Sequence, residues 1–222
     1  MISVIMPVLN EELRIGARLR ELAAFPEVVV VDGGSSDATA GIVRAAGGAR
    51  LVAGPRGRAL QMNAGARLAR GEVLLFLHAD CSLPPDALER IEAVLRNPAV
   101  VAGAFRTWHV ADDGRRAIWL HLADLRSRYS GLPYGDQALF VRRKIFAEVG
   151  GFPEQPLMED LELSRRLRRR GRIVIVRSRV RVSGRRFLRH PLRDTLLVNL
   201  FPLLYRLGVP AQRLARYYQD VR

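Results

Sequence analysis

Three stretches place carboxylates where a protein can use them. The first, VVVDGGSSDAT (29–39), sets Asp32 directly after a run of valines, followed by two glycines, two serines and Asp37. Glycines permit a tight turn and close backbone approach, and a helix N-terminus beyond them offers unpaired N–H groups and the positive end of a dipole. A carboxylate there can accept hydrogen bonds from a base N–H or a ribose hydroxyl. The competing account is a plain strand-to-helix turn, with Asp37 placed for the dipole alone. The second stretch is His78-Ala79-Asp80, which closes the apolar run VLLFL (73–77). Mg2+ and Mn2+ take oxygen ligands and commonly use one or two carboxylates plus substrate phosphates. Asp80 is therefore a candidate metal ligand, and His78 a ligand, a phosphate donor or a turn residue. In the third, GGFPEQPLMEDLELSRRLRRRG (150–171), Glu159 and Asp160 open an amphipathic helix. Either both acids complement the helix dipole and face the arginines between 165 and 170, or one is a general base for a substrate hydroxyl. Residue types alone favour the first account.

The elements that must position these groups can be read from the apolar pattern. Short runs at Ile2–Met6, Val28–Val31, Arg50–Ala53 and Val73–Leu77 predict strands, and Ile15, Leu19, Leu22 and Ala23, then Ala38, Ile42, Ala45 and Ala46, follow a helical period. Asn10 is a candidate cap for the first helix, Ser35 or Ser36 for the second, and Gly47 its stop. Unalternating strands separated by helices predict an α/β fold with a mostly parallel sheet covered on both faces. Ligands of such sheets bind outside the carboxyl ends of the strands, and Asn10, Asp32 and Asp80 all fall there. Further on, the pattern predicts helices over Pro84–Arg96, Ala117–Arg128 and Glu159–Arg170. It predicts strands over Val100–Arg106, Ala138–Arg142, Ile173–Val176 and Val180–Ser183, and two C-terminal helices broken near Gly208-Val209-Pro210. No repeat or linker divides the chain. It reads as one domain over 1–222, with a nucleotide-binding half (1–106), an acceptor and catalytic half (107–190) and C-terminal helices (191–222).

The 222 residues carry 36 Lys and Arg against 22 Asp and Glu, a net charge of +14 that favours phosphate-bearing substrates, an anionic membrane surface or nucleic acid. Aromatics are only 7% and scattered, which argues against nucleic-acid stacking. Cys81 is the single cysteine, so no internal disulfide can form. The longest apolar stretch, Leu196–Leu207, is interrupted by Asn199, Pro202 and Arg206, and crossing a bilayer takes about 20 apolar residues. The expected setting is cytoplasmic, with peripheral membrane contact through Phe201, Leu203, Leu204, Tyr217 and Tyr218 as one reading and plain packing of those residues as the other.

Four ordered segments, PVLNEE (7–12), VVVDGGSSD (29–37), RGRALQMNAGARLARGEVLLFLHAD (56–80) and the GGF…MEDLELSRRLRRRG stretch (150–171), resemble the family 2 glycosyltransferases over about residues 1–175. The likeness is to a small bacterial subgroup whose metal motif begins with His. The resemblance implies a GT-A fold, a nucleoside-diphosphate sugar donor, a divalent metal (Mg or Mn) on its diphosphate, and inversion at the anomeric carbon. Carried over by position, it puts Pro7, Asn10 and Glu11 in the first nucleotide loop and Asp32 at base or ribose. Arg58 and Asn63 fall beside the nucleotide, Asp80 at the end of the DXD metal motif, and Asp160 at the catalytic base with Glu159 beside it. Two departures stand out: His78 replaces the first Asp of DXD, and Gly33 replaces the usual second Asp after Asp32. The QXXRW motif of processive synthases is also absent, SGRRFLRHP (183–191) being its nearest counterpart, which implies transfer of a single sugar.

Beside these motifs, YGDQALFVRR (134–143) supplies Asp136 and Gln137 to the expected acceptor side, and Arg142 and Arg143 either meet phosphate or form a solvated pair. Trp108 and Trp119 can stack on a sugar or fill the core; His109, His121 and His190 show no ligand-like spacing. The expected activity is metal-assisted transfer of one sugar to an acceptor hydroxyl, the acceptor being a lipid or another small hydroxyl compound. The alternatives are a sugar nucleotidyltransferase, whose basic Gly-rich signature after the first strand is missing from PVLNEE, and a non-enzymatic basic module for membrane or nucleic acid.

Overall fold

The structure, a computed structural model, describes residues 1–110, Asp124, 131–184 and 191–219. The helix expected over 117–128 lies outside the described residues apart from Asp124, as do Trp119, His121, His190 and most of 183–191. An eight-stranded sheet runs in the order β3-β2-β1-β4-β7-β6-β8-β5. Its parallel half is β1 (Ile2–Val8), β2 (Glu27–Asp32), β3 (Arg50–Ala53) and β4 (Val73–Phe76). β7 (Phe140–Arg142) enters antiparallel to both β4 and β6 (Val100–Val110), and β6 pairs parallel with β8 (Arg172–Ser183). The short β5 (Cys81–Ser82) closes the edge against β8.

Both faces are covered, as unalternating strands require. Ile2, Val4, Met6 and Val8 of β1 pack with Ile15 of α1 (Glu12–Glu21), Val43 of α2 (Thr39–Ala46) and Ile91 of α4 (Ala87–Leu95). Ile5 faces the other way, onto Ala59, Met62 and Ala66 of α3 (Arg58–Leu68), a layer continued by Phe146 of α5 (Arg143–Glu148) and Leu163 and Leu167 of α6 (Glu159–Arg168). α3 buries Ala59, Gln61, Met62, Gly65 and Ala66, and Gly65 lies so close to Ile5 and Val31 that a Cβ there would overlap them. A third cluster joins Tyr134, Leu157, Met158 and Leu161 to Phe201 of α7 (Pro191–Arg206) and to Leu214 and Ala215 of α8 (Ala211–Gln219).

Three local expectations need correction. Asn10 does not cap α1: Glu11 holds that position without a side-chain bond, because the Asn10 amide is turned to the neighbouring loop. Neither Ser35 nor Ser36 caps α2, which begins later, at Thr39, behind Asp37. The strands expected over 173–176 and 180–183 are one strand, β8, whose pairing with β6 slips between Val176 and Arg179. Two extra residues at that bulge break the apolar pattern without ending the strand. Gly47 does stop α2, in the left-handed region at φ 70°.

Candidate active site

The carboxyl ends of β1, β2 and β4 share one edge of the sheet, since Val8 lies opposite Asp32 and Ile5 opposite Phe76. There the loops after β1 and β2 are laced together. Asn10, at φ 54°, donates its N–H to Ser35 Oγ at 2.9 Å and accepts from the Ser36 N–H at 2.9 Å. The Glu11 N–H donates to Thr39 Oγ1 at 2.8 Å, and the Glu12 N–H to Asp37 Oδ2 at 3.1 Å. Asp37 thus ties two loops together rather than serving the dipole alone. Asp32, half-buried, accepts from the Ser35 N–H (3.0 Å) and Ser35 Oγ (2.6 Å), both at Oδ1. Beneath them Gln61 donates to the carbonyls of Val8 (2.9 Å) and Val31 (2.8 Å). A Cβ on Gly33 would stand 3.0 Å from the Gln61 amide nitrogen, so a larger residue there would crowd this brace. Pro7 lies within β1, opposite Val31.

A second constellation gathers around Gly135, in a 3-10 turn spanning Gly135–Gln137. Its N–H donates to Asp160 Oδ2 at 2.6 Å, and the Leu161 N–H donates to Asp160 Oδ1 at 2.7 Å. A Cβ on Gly135 would lie 3.0 Å from His78 Nε2, 3.2 Å from Asp160 Oδ2 and 3.8 Å from Arg58 Nη1. One glycine therefore brings together residues 58, 78 and 160, which the sequence holds far apart. Glu159, 1% exposed, is ion-paired with Arg58 through Oε1, while its buried Oε2 has no hydrogen-bond partner among the described residues. Asp160 is 9% exposed. Burial and the Arg58 guanidinium push the His78 imidazole down to about 4, against the opposing pull of Asp80, Asp136 and Asp160. His78 is thus a neutral hydrogen-bonding ring at ordinary pH.

Asp80 follows β4 and is half-buried, its backbone carbonyl accepting from the Ser183 N–H at 3.0 Å. The neighbouring Cys81 thiol, buried and beside Asp80 and Asp136, is pushed well up and stays protonated. A cleft of about 450 Å³ between α1 and β8 reaches Asp80 and is lined also by Arg14, Arg18 and Arg181. Among the described residues no three His, Cys, Asp or Glu side chains form a ready metal cage. One carboxylate beside a neutral imidazole fits a hard cation that takes its remaining ligands from substrate phosphate and water.

The other expected residues have defined places. The Asn63 side chain clamps Phe152, donating to its carbonyl at 2.8 Å and accepting from its N–H at 3.0 Å, and so fixes the loop ahead of Glu159. Gln137 is buried, its amide held by the Phe105 carbonyl at 2.8 Å and the Tyr134 N–H at 2.9 Å. Arg142 bonds the carbonyls of Val100 and Leu95, and Arg143 that of Ala69; both guanidinium groups secure backbone. The Arg179 guanidinium carbon lies over the Trp108 ring, 4.4 Å from the ring centroid. Glu11 stands 3.6 Å from Arg14. His109 was missed by spacing. Its Nδ1 meets Asp124 Oδ1 at 2.7 Å and its Nε2 lies 3.8 Å from Asp136 Oδ2. Burial pushes the Asp124 carboxyl up, but the His109 hydrogen bond and charge, with Thr107, hold it below the usual range. The available signal was Thr107 and His109 at i and i+2 of a strand, a polar pair on a buried face.

With this geometry in place, the family profile described as "Glycosyl transferase family 2" matches residues 3–152. The chain belongs to glycosyl transferase family 2. Curated relatives include the undecaprenyl-phosphate 4-deoxy-4-formamido-L-arabinose transferases of Aeromonas hydrophila and Pseudomonas paraeruginosa. The first is 31% identical over 116 residues, covering 46% of this chain and 36% of the relative. The second is 31% identical over 133 residues, covering 54% of this chain and 38% of the relative. The match thus spans little more than a third of these relatives' own length. Among solved structures, the mannosyltransferase PcManGT from Pyrobaculum calidifontis in complex with GDP-Man and Mn2+ superposes with a TM-score of 0.70 at 22% identity, over 99% of this chain and 68% of that one. S. aureus TarS in complex with UDP-GlcNAc gives 0.66 at 23%, over 82% and 58%. The mostly parallel, helix-flanked sheet of this family 2 glycosyltransferase is the GT-A fold.

Proposed function

We propose that this glycosyltransferase moves one sugar from a nucleoside-diphosphate sugar to an acceptor hydroxyl, with inversion at the anomeric carbon. The observation that carries the reading is the meeting of Asp160, His78 and Arg58 around Gly135, on the sheet edge that also holds Asp32. The laced loops after β1 and β2, with Asn10, Glu11 and Asp32, hold the nucleoside. Arg58, fixed by Glu159, presents its guanidinium to the diphosphate, and neutral His78 donates or accepts a hydrogen bond beside it. Glu159 is on this reading a positioning residue, since its carboxylate is committed to Arg58. Asp160 is the base: each of its oxygens accepts one backbone N–H, which orients the carboxylate and leaves lone pairs for a substrate proton.

Asp80, with His78 beside it, would hold Mg2+ or Mn2+, which supplies charge neutralisation to the leaving diphosphate. The chain's own steps are then orientation of the acceptor beside Asp136, removal of its proton at an Asp160 oxygen, and exclusion of water by the Gly135 turn. The relatives named for undecaprenyl phosphate favour a lipid-linked or otherwise amphiphilic acceptor, and no described helix is long and apolar enough to cross a membrane. Asp160→Asn tests the reading: donor binding persists while release of nucleoside diphosphate on acceptor addition is lost. Normal turnover by that variant, or pyrophosphate as the product of the parent protein, defeats it.

A further inference from the structure

α7 is apolar on most of its circumference, yet only one side of it is covered. Phe201 is 4% exposed and packs in the cluster with Leu157, Met158 and Leu161, while Leu204 is partly buried against the same cluster. The opposite side leaves Leu192, Leu196 and Leu203 exposed at 68%, 62% and 53%, and Leu207, just past the helix, at 74%. With exposed Asn199 between them, these positions recur every three or four residues, so they make one stripe along the helix. Four exposed leucines gathered on one helix face, interrupted only by Asn199, mark a contact face rather than ordinary scatter.

The charges around it are of one sign. Among residues 191–219 the exposed charged side chains are Arg193, Arg206, Arg213 and Arg216; the only carboxylate of the segment, Asp194, is buried at 2%. Tyr217, 64% exposed, adds an amphipathic ring of the type that settles at a bilayer interface. We propose that this face docks on an anionic lipid surface, the leucines entering the boundary between headgroups and acyl chains and the arginines pairing with lipid phosphates. A second copy of the chain is a poor occupant, because it would bring the arginines of both copies together. Nucleic acid is another, because it offers the leucines nothing apolar to bury against.

Docking in this pose sets the Leu157–Leu161 segment, which contains Glu159 and Asp160, behind one packed layer, about 10 Å from the lipid. A lipid-borne acceptor would thus be held near this segment; that clause rests on the proposed transfer reaction, whereas the docking does not. The test is flotation of the full chain with phosphatidylcholine vesicles, with and without phosphatidylglycerol, and no donor present. The parent protein should float with the anionic vesicles and lose most binding at high salt. Combined Leu192→Gln, Leu196→Gln, Leu203→Gln and Leu207→Gln should weaken binding at least about tenfold with an unchanged melting temperature. Combined Arg193→Gln, Arg206→Gln, Arg213→Gln and Arg216→Gln should remove the preference for anionic lipid. The proposal is overturned if the parent protein stays in the soluble fraction or if the leucine variant floats equally well. A concentration-dependent dimer that the leucine variant abolishes overturns it too.

Discussion

Alanine at position 135 tests the site where His78, Asp160 and Arg58 meet. The backbone there is not in the left-handed region, so alanine is locally permitted and the effect is one of space. The added carbon would sit 3.0 Å from His78 Nε2 and 3.2 Å from Asp160 Oδ2, where ordinary contact begins at 3.4 Å. The imidazole must therefore retreat by about 0.4 Å and the carboxylate by about 0.2 Å, an overpacking that costs about 1–2 kcal/mol when neighbours are held. Both groups have little room: His78 is half-buried beside Arg58, Asp80 and Asp136, and Asp160 is bonded at both oxygens. Since misplacement of a reacting group by about 1 Å costs about a hundredfold in rate, Gly135→Ala should lower turnover about tenfold. Nucleoside diphosphate release should be measured beside a denaturant titration. Gly41→Ala is the control: it has nothing within 4 Å and lies inside α2, so it should leave activity intact and raise stability by up to about 1 kcal/mol. Full turnover by Gly135→Ala would refute the claim that this turn, His78 and Asp160 form one reacting cluster.

Other outcomes follow from separate contacts. Arg58→Leu leaves the Glu159 carboxylate buried and unpaired, and should cost about 3 kcal/mol, more than Glu159→Gln, which keeps a hydrogen-bonding group; chemical denaturation ranks the two. Asp80→Ala should abolish any Mn2+-dependent thermal shift by donor while leaving the melting temperature of the free protein near that of the parent. Gly103→Ala would drive a carbon into the Phe140 ring in the sheet centre and should destabilise by about 3 kcal/mol or more. The Glu27 carboxyl, pushed up by burial, is held below its usual range by Ser3 Oγ and the N–H groups of Arg70 and Gly71. Its contribution to stability is therefore present above about pH 4.3 and fades as pH falls through the lower folded value. In Glu27→Gln the acid limb of a stability-versus-pH curve should be shallower.

Much of the parallel half was legible because it obeys local rules. The apolar run Ile2–Met6 marked β1, valine and leucine runs ending near Asp32 and His78 marked β2 and β4, and Gly47 marked the end of α2. The helix at Glu159 likewise stands where the LSRRLRRR pattern puts it. What escaped was set by contacts between distant segments. α3 shows no clear amphipathic stripe because its buried face mixes Ala, Gly and Met with the polar Gln61, so nothing local announced Gln61 as the brace of two strand ends or Asn63 as the clamp on Phe152. Asn10 has the side chain of a helix cap, but a nearby pair of serines competed for it. His109 carries meaning only once β6 brings it between Asp124 and Asp136. The β8 bulge is invisible to a pattern that counts every residue.

The third apolar cluster has a consequence for how the enzyme can be cut or grafted. Leu163 and Leu167 root the helix of Glu159 and Asp160 in the sheet, whereas Leu157, Met158 and Leu161 rest on Phe201, Leu214 and Ala215 from the last two helices. The tail is thus a keel for the proposed base. Shortening the chain ahead of Phe201 would leave the helix rooted at one end and rolling at the other, so a tail-less fragment that still folds should bind donor while failing at transfer.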